Sequence, residues 1–417
     1  MRIKLLFIFC FCSILVAAQK NKDLSKDIFL EKLMQTKPEA FASILANKDS
    51  LNVQIIYTQI DRDKKNNPSF TNYTFNLNNN NYFYPASTVK MPIAFLALEK
   101  LNNLNIPGVN KYTKMVVDSS ISAQQNFYAP TNTNSNPTIA NYIKQIFLVS
   151  DNDAFNHLYE FLGQEYIQQK LKEKGYSDAV IRHRLNISLS NEQNRTTNAV
   201  SFYDSSGKLL YHQDAQYNKN NFASLNVQLG KGYYRGNQLI NEPFDFSTKN
   251  RIYLQDLHDI LQSVLFSDNV DQKKKFNLTK DDVAFVLKWM SAYPRESKLP
   301  YYDSANYWDS YCKFLLYGSE KGSLLPDVRI FNKVGDAYGF LTDIAYIVDK
   351  KNNVEFMLCA TISCNSDGIY NDDKYDYETV GYPFMKHLGQ LIYQYELKRD
   401  KKHKALLNKF DIEYKDK

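Results

Sequence analysis

Cysteine, glycine, proline and tryptophan are all scarce: 5 Cys, 14 Gly, 12 Pro and 2 Trp in 417 residues. So little Gly and Pro excludes collagen-like and low-complexity chains. Neither sign of charge dominates. The 51 basic and 45 acidic residues are spread along the chain, which argues against a nucleic-acid binder, because such proteins concentrate their cations. Beyond the first eighteen residues no stretch is long and apolar enough to span a bilayer. Neither CxxC nor a His/Cys pattern points to zinc, so no metal or other cofactor is expected. What is present is a globular composition, 44% hydrophobic and 14% aromatic, long enough for one large domain or two medium ones.

The N-terminus has the layout of an export signal. Arg2 and Lys4 precede an apolar run from Leu5 to Val16, and Val16-Ala17-Ala18 supplies small residues for cleavage. Residues 1–18 are therefore read as a signal peptide, giving a periplasmic or secreted protein with no stable membrane span after cleavage. Cys10 and Cys12 lie inside the apolar run and follow no lipidation box. Cys312, Cys359 and Cys364 remain, an odd number that permits at most one disulfide. The apolar run Phe356 to Ile362 makes Cys359 and Cys364 buried structural thiols.

Periodicity predicts a helix over Asp27 to Ala46 interrupted near Pro38, then strands Val53 to Ile60 and Phe70 to Leu77. Met91 to Leu101 reads as a strongly apolar helix. Ile139 to Leu148 and Asp153 to Lys174 read as helices, Val200 to Asp204 and Lys208 to His212 as a hairpin, and the stretch to Asn250 as loop-rich. Helices Ile252 to Phe266 and Asp281 to Met290 follow, the second opened by Thr279 as N-cap. Strands Arg329 to Val334, Gly339 to Val348 and Val354 to Ile362 precede a last helix, Tyr382 to Tyr395, and a Lys-rich, solvated tail. A sheet made from both chain ends with helices between them satisfies this order.

Three short strings carry chemistry. Ser87-Thr-Val-Lys90 puts a hydroxyl and an amine on one helix face, where a partly buried Lys can lose its charge and take the Ser proton. Ser150-Asp151-Asn152 begins another amphipathic helix. Lys333-Val334-Gly335 lies on a strand, with Gly letting a substrate backbone approach. Singly each has a plain reading: a chance SxxK, an N-cap, a solvated strand end. Together, in this order and on these elements, they resemble the SxxK, SDN and KTG signatures of the penicillin-recognising serine enzymes, above all the class A β-lactamase family. The segments Tyr84 to Ala94, Leu278 to Met290 and Lys333 to Asp349 extend the likeness, which covers most of residues 28–203 and 275–396.

The resemblance implies an α/β plus all-α, β-lactamase/transpeptidase-like fold: a five-stranded antiparallel sheet flanked by helices, with an inserted helical domain. The α/β part would come from 19–86 and 325–400. The helical part would be 87–324, with an Ω-loop-like region near 182–198, insertions near 204–250 and 298–327 that rim the cleft or decorate the outer surface, and a basic tail 401–417. It also implies Ser87 as the acyl-accepting nucleophile, Lys90 as manager of its proton and Ser150 as relay to the leaving nitrogen. Asn152 would hold the substrate amide, Lys333 would attract a substrate carboxylate, and the N–H groups of Ser87 and Asp336 would form an oxyanion hole. Asp151 would be structural.

Two departures stand out. Aligning Asn191 with the family's Ω-loop Asn puts Ile187 where the family has its deacylating Glu, leaving Glu192 as the nearest carboxylate. Val334 replaces a Thr or Ser and loses a hydroxyl for the substrate carboxylate. The expected function is an exported serine hydrolase opening a β-lactam or related amide through acyl-Ser87. The alternatives are a penicillin-binding D,D-peptidase-like enzyme that deacylates slowly, and a non-catalytic binder of peptidoglycan or β-lactam. The expected partner is thus a small-molecule β-lactam or a cell-wall peptide, with no nucleic acid. GxSxG, HExxH and P-loop strings are missing; His183 leaves a Ser-His-Asp arrangement open.

Overall fold

The computed structural model describes residues 28–118 and 136–414, so the signal segment 1–18 lies outside the described residues. Helices α1 (Phe29–Gln35) and α2 (Pro38–Ala46) come first. Pro38 splits the apolar period because it sits at the start of α2, where a missing N–H costs nothing. Strands β1 (Gln54–Arg62) and β2 (Pro68–Phe75) form a hairpin. Its turn is tied by Asp63 Oδ1, which accepts from the N–H groups of Lys65 and Asn67, both at 2.8 Å.

The helical block contains α3 (Lys90–Leu104), α4 (Ile139–Val149), α5 (Asn152–Leu162), α6 (Gln164–Glu173), α7 (Leu254–Leu265) and α8 (Lys280–Ser291). The single helix expected over Asp153 to Lys174 is two helices. Gly163, at φ 76°, breaks it in a backbone conformation that suits glycine. Thr279 caps α8 as expected, and a reciprocal Thr279/Asp282 box satisfies two orphan donors.

Strands β3 (Val328–Ala337), β4 (Phe340–Asp349) and β5 (Val354–Ser363) follow, and helix α9 (Tyr382–Lys398) returns across the sheet. The sheet is antiparallel, in the order β3-β4-β5-β1-β2, so the two chain ends meet where β5 pairs with β1. Every residue of β4 is buried, as expected of a central strand covered on both faces. Alternation along β1 sends Ile55 and Tyr57 into a core with Met34, Phe41, Ile347 and Leu388. Ile56 faces the helical block, in a core with Ile344, Leu257 and Phe95.

The Lys-rich tail corrects the reading of a solvated end. Ala405, Leu407 and Phe410 are buried, and the Phe410 ring lies 5.1 Å from the rings of both Phe331 and Tyr346. These three apolar side chains outweigh the flanking lysines. Cys312, Cys359 and Cys364 are free and buried, with all three thiols pushed up by burial. Among the described residues no helix is long and apolar enough to cross a membrane.

Candidate active site

Ser87 lies in a 3₁₀ turn, Ala86–Val89, that runs directly into α3. The turn is locked by Thr88, whose N–H and Oγ1–H both donate to Pro85 O, at 3.0 and 2.6 Å. Ala86 holds φ 45°, an unfavourable conformation for a residue with a Cβ, immediately before the nucleophile candidate. Helix α3 is buried all round over Lys90 to Leu101, so it runs through the core as a rigid post.

Lys90 has no exposed surface. Its Nζ lies 2.8 Å from Ser87 Oγ, 2.7 Å from Asn152 Oδ1, 2.5 Å from Ser150 O and 3.2 Å from Ser150 Oγ. Ser150 closes α4 in the left-handed region, φ 58°, which turns its side chain and carbonyl toward Lys90. Asp151 caps α5 by accepting from Ala154 N–H at 2.8 Å. From the sheet side, Lys333 on edge strand β3 donates to Ser150 Oγ and to Val334 O, both at 2.8 Å. Thus Ser87, Lys90, Ser150, Asn152 and Lys333 are brought into one hydrogen-bonded cluster between the sheet edge and the helices.

Burial, reinforced by the Lys333 charge, holds the Lys90 amine well below its ordinary value. Burial also pulls Lys333 down to about 8, with Asp336 among the groups opposing the shift. A neutral Lys90 has two N–H groups and one lone pair. Ser150 O and Asn152 Oδ1 take the two donors, so the lone pair is left for the Ser87 hydroxyl. That is the arrangement a general base needs.

Gly335 makes the approach of strand to nucleophile possible. A Cβ there would stand 2.7 Å from Pro85 O, 2.9 Å from Thr88 N and 3.0 Å from Ser87 N. Val334 is buried in the core behind the sheet, and Asp336 is exposed.

The Ω-loop-like region is fixed from beneath. Arg184, fully buried, pairs with Glu160 at 2.7 Å, while Glu160 Oε2 accepts Asn198 N–H. Asn156 of α5 clamps the backbone of Leu185, and Asn194 Oδ1 accepts Arg184 N–H at 3.0 Å. Asn250 Oδ1 accepts the N–H groups of Arg182 and His183. Ile187 is half-buried in this loop. Asn191 and Glu192 open a short helix, Asn191–Arg195, on its exposed side, and Glu192 accepts from the Tyr217 hydroxyl at 2.7 Å. Among the described residues no carboxylate bonds to Ser87, Lys90, Ser150 or Lys333. His183 is occupied elsewhere: Nδ1 bonds Arg184 O at 2.7 Å and Nε2 accepts Asn250 N–H at 3.2 Å, with the ring pulled down to about 4 by burial. Both nitrogens being used, it cannot serve Ser87 as a triad base.

Arg184, Glu160, Asn156, Asn194 and Asn250 were not singled out by sequence reasoning, because single buried polar residues leave no periodic signal. Part of the 204–250 stretch packs on the turn between β3 and β4: Phe244 and Phe246 lie 5.5 Å from the Tyr338 ring, and Lys249 Nζ lies 3.4 Å from the Tyr338 hydroxyl. Tyr338 in turn stands edge-on to Tyr84, three residues before Ser87. Among the described residues no group of His, Cys, Asp and Glu could hold a metal ion.

Solved structures of similar shape include a β-lactamase from Chitinophaga pinensis, with a TM-score of 0.48 and 11% identity, covering 86% of this chain and 99% of that one. A β-lactamase from Francisella tularensis gives 0.47 at 14% identity, covering 85% and 97%. PBP-A gives 0.44 at 15% identity, covering 83% and 89%. No curated protein matches the sequence. The sequence itself matches the β-lactamase enzyme family over residues 38–395, and the chain belongs to that family.

Proposed function

We propose that this protein is an exported serine hydrolase that opens a β-lactam or related amide through an acyl-Ser87 intermediate. The observation that carries the reading is the 2.8 Å approach to Ser87 Oγ of a buried Lys90 amine, which burial holds well below its ordinary pKa. Lys90 takes the Ser87 proton as Oγ attacks the substrate carbonyl. The N–H groups of Ser87 and Asp336 receive the developing oxyanion. As the C–N bond breaks, the proton passes from Lys90 to the leaving nitrogen through Ser150, which bonds both lysines. Asn152 orients the substrate amide, and water then cleaves the Ser87 ester. The layout of residues 1–18 supports export.

A second reading concerns the last step. With Ile187 in the loop and Glu192 bonded to Tyr217, no described carboxylate is placed to activate that water, which favours a penicillin-binding, D,D-peptidase-like enzyme that releases its acyl group slowly. A time course with a fluorescent penicillin, supplied as free acid and as methyl ester, separates the possibilities. Label that persists and is lost in Ser87→Ala supports slow release. Product without lasting label supports hydrolysis, and neither label nor product from either form contradicts acylation.

A further inference from the structure

Lys249, in the 204–250 stretch, has no place in the mechanism, yet it is a half-buried cation without a counterion. Among the described residues its ammonium forms no ion pair, and the acceptor it meets is the Tyr338 hydroxyl, at 3.4 Å. It stands 5.5 Å from the centre of the Tyr338 ring and 5.6 Å from that of Phe244, so aromatic faces rather than a carboxylate support the charge. Asp245, the acid closest in sequence, instead accepts the Ser247 N–H at 2.8 Å. A partly desolvated cation with no anion beside it retains its attraction for one.

The chain around Lys249 is held close to the nucleophile. Next to it, Asn250 Oδ1 accepts the His183 N–H of the Ω-loop-like region at 3.2 Å, and Asn250 O accepts the Tyr82 hydroxyl at 3.0 Å. Tyr84 touches both neighbours of this position: its ring is stacked with His183 at 6.3 Å and stands edge-on to Tyr338 at 5.1 Å. Ser87 comes three residues later. From the sheet side, the Gly335 backbone lies against Ser87 N, and Tyr338 follows about 10 Å farther along the chain.

We propose that Lys249 is a specificity-determining residue, which makes the acyl side of the site favour substrates whose acyl chain ends in a carboxylate and disfavour those whose chain ends in an ammonium. The inference rests on acylation of Ser87. In that reaction the acyl oxygen sits at the N–H groups of Ser87 and Asp336, while the leaving nitrogen sits at Ser150, beside Lys333. The acyl substituent therefore continues past Asp336, away from Lys333, toward Tyr338 and the Lys249 ammonium. A carboxylate there is paired by Lys249, and an ammonium is repelled by it.

The test uses three penicillins made on 6-aminopenicillanic acid with acyl chains of matched length, glutaryl, glutaramyl and 5-aminopentanoyl, which end in a carboxylate, a carboxamide and an ammonium. The rate of Ser87 acylation is read by mass spectrometry as acylated protein plus opened penicillin. The native protein is expected to react fastest with the glutaryl form and slowest with the aminopentanoyl form, about tenfold apart or more. Lys249→Arg should keep that order, Lys249→Gln and Lys249→Met should collapse the spread, and Lys249→Glu should reverse it. A native protein that shows no preference or prefers the ammonium form, or Gln and Met variants that keep the native spread, overturns the inference while acylation stands. If none of the three forms acylates Ser87, the acylation reading itself falls, and the inference with it.

Discussion

A lysine with no exposed surface is ordinarily a cost, because an ammonium taken out of water loses several kcal/mol of hydration. Burial, with the Lys333 charge beside it, pushes Lys90 toward its neutral form, and the neutral amine is the form that can act as a base. Lys333, at about 8, stands on the other side of working pH and remains largely charged near neutrality. The sign of the pH dependence follows. Acylation should rise from acid pH as Lys90 loses its proton and fall above about pH 8 as Lys333 loses its own. A pH–rate profile of acylation checks this, and a rate still climbing at pH 9 contradicts it. Gly335 gives a second prediction at this scale. Gly335→Ala drives a Cβ into Pro85 O and the Ser87 and Thr88 amides, so acylation should fall by about a hundredfold or more with the global fold retained. Acylation rate and far-UV circular dichroism, measured together, test it. Ser87, Lys90 and Lys333 were legible as a spacing pattern. The shifts of the two lysines were not, because they depend on burial assembled from three separate segments.

Among the elements, helices and strands followed their periodicity closely, since α3 and β4 are apolar enough to declare themselves. Gly163 was the exception: a left-handed glycine ends α5 where the apolar pattern alone continues. The loop that carries Ile187 was far less legible. It is pinned by Asn156 on α5 and by Asn250, distant in sequence, and its shape cannot be read from its own residues. Its anchor is the Arg184–Glu160 pair, buried on both sides. Arg184→Met removes the guanidinium from a fully buried carboxylate and should cost about 3–5 kcal/mol. Urea unfolding measures the loss, and a change below about 1 kcal/mol would show that the pair does not anchor the loop.

The whole molecule joins its two chain ends in one sheet, and this arrangement was readable from the order of elements alone. The tail was misread because three apolar residues among many lysines give no period. Phe410 fits between Phe331 and Tyr346, while Tyr414 bonds Ser291 and lies under the Arg329 guanidinium, 3.6 Å from its ring centre. The tail therefore fastens β3, the strand that carries Lys333, to α8. Phe410→Ala should cost about 3–5 kcal/mol, seen as a lower Tm. An unchanged Tm would return the tail to a solvated role.

The central claim is that chemistry passes through Ser87, and it is tested most directly by mapping the acyl group. The protein is incubated with benzylpenicillin and with its methyl ester, quenched in acid, digested and sequenced by mass spectrometry. The account predicts the mass of the opened β-lactam on the Ser87 hydroxyl and its loss in Lys90→Ala. An adduct on any other side chain, or none from either compound, would contradict it.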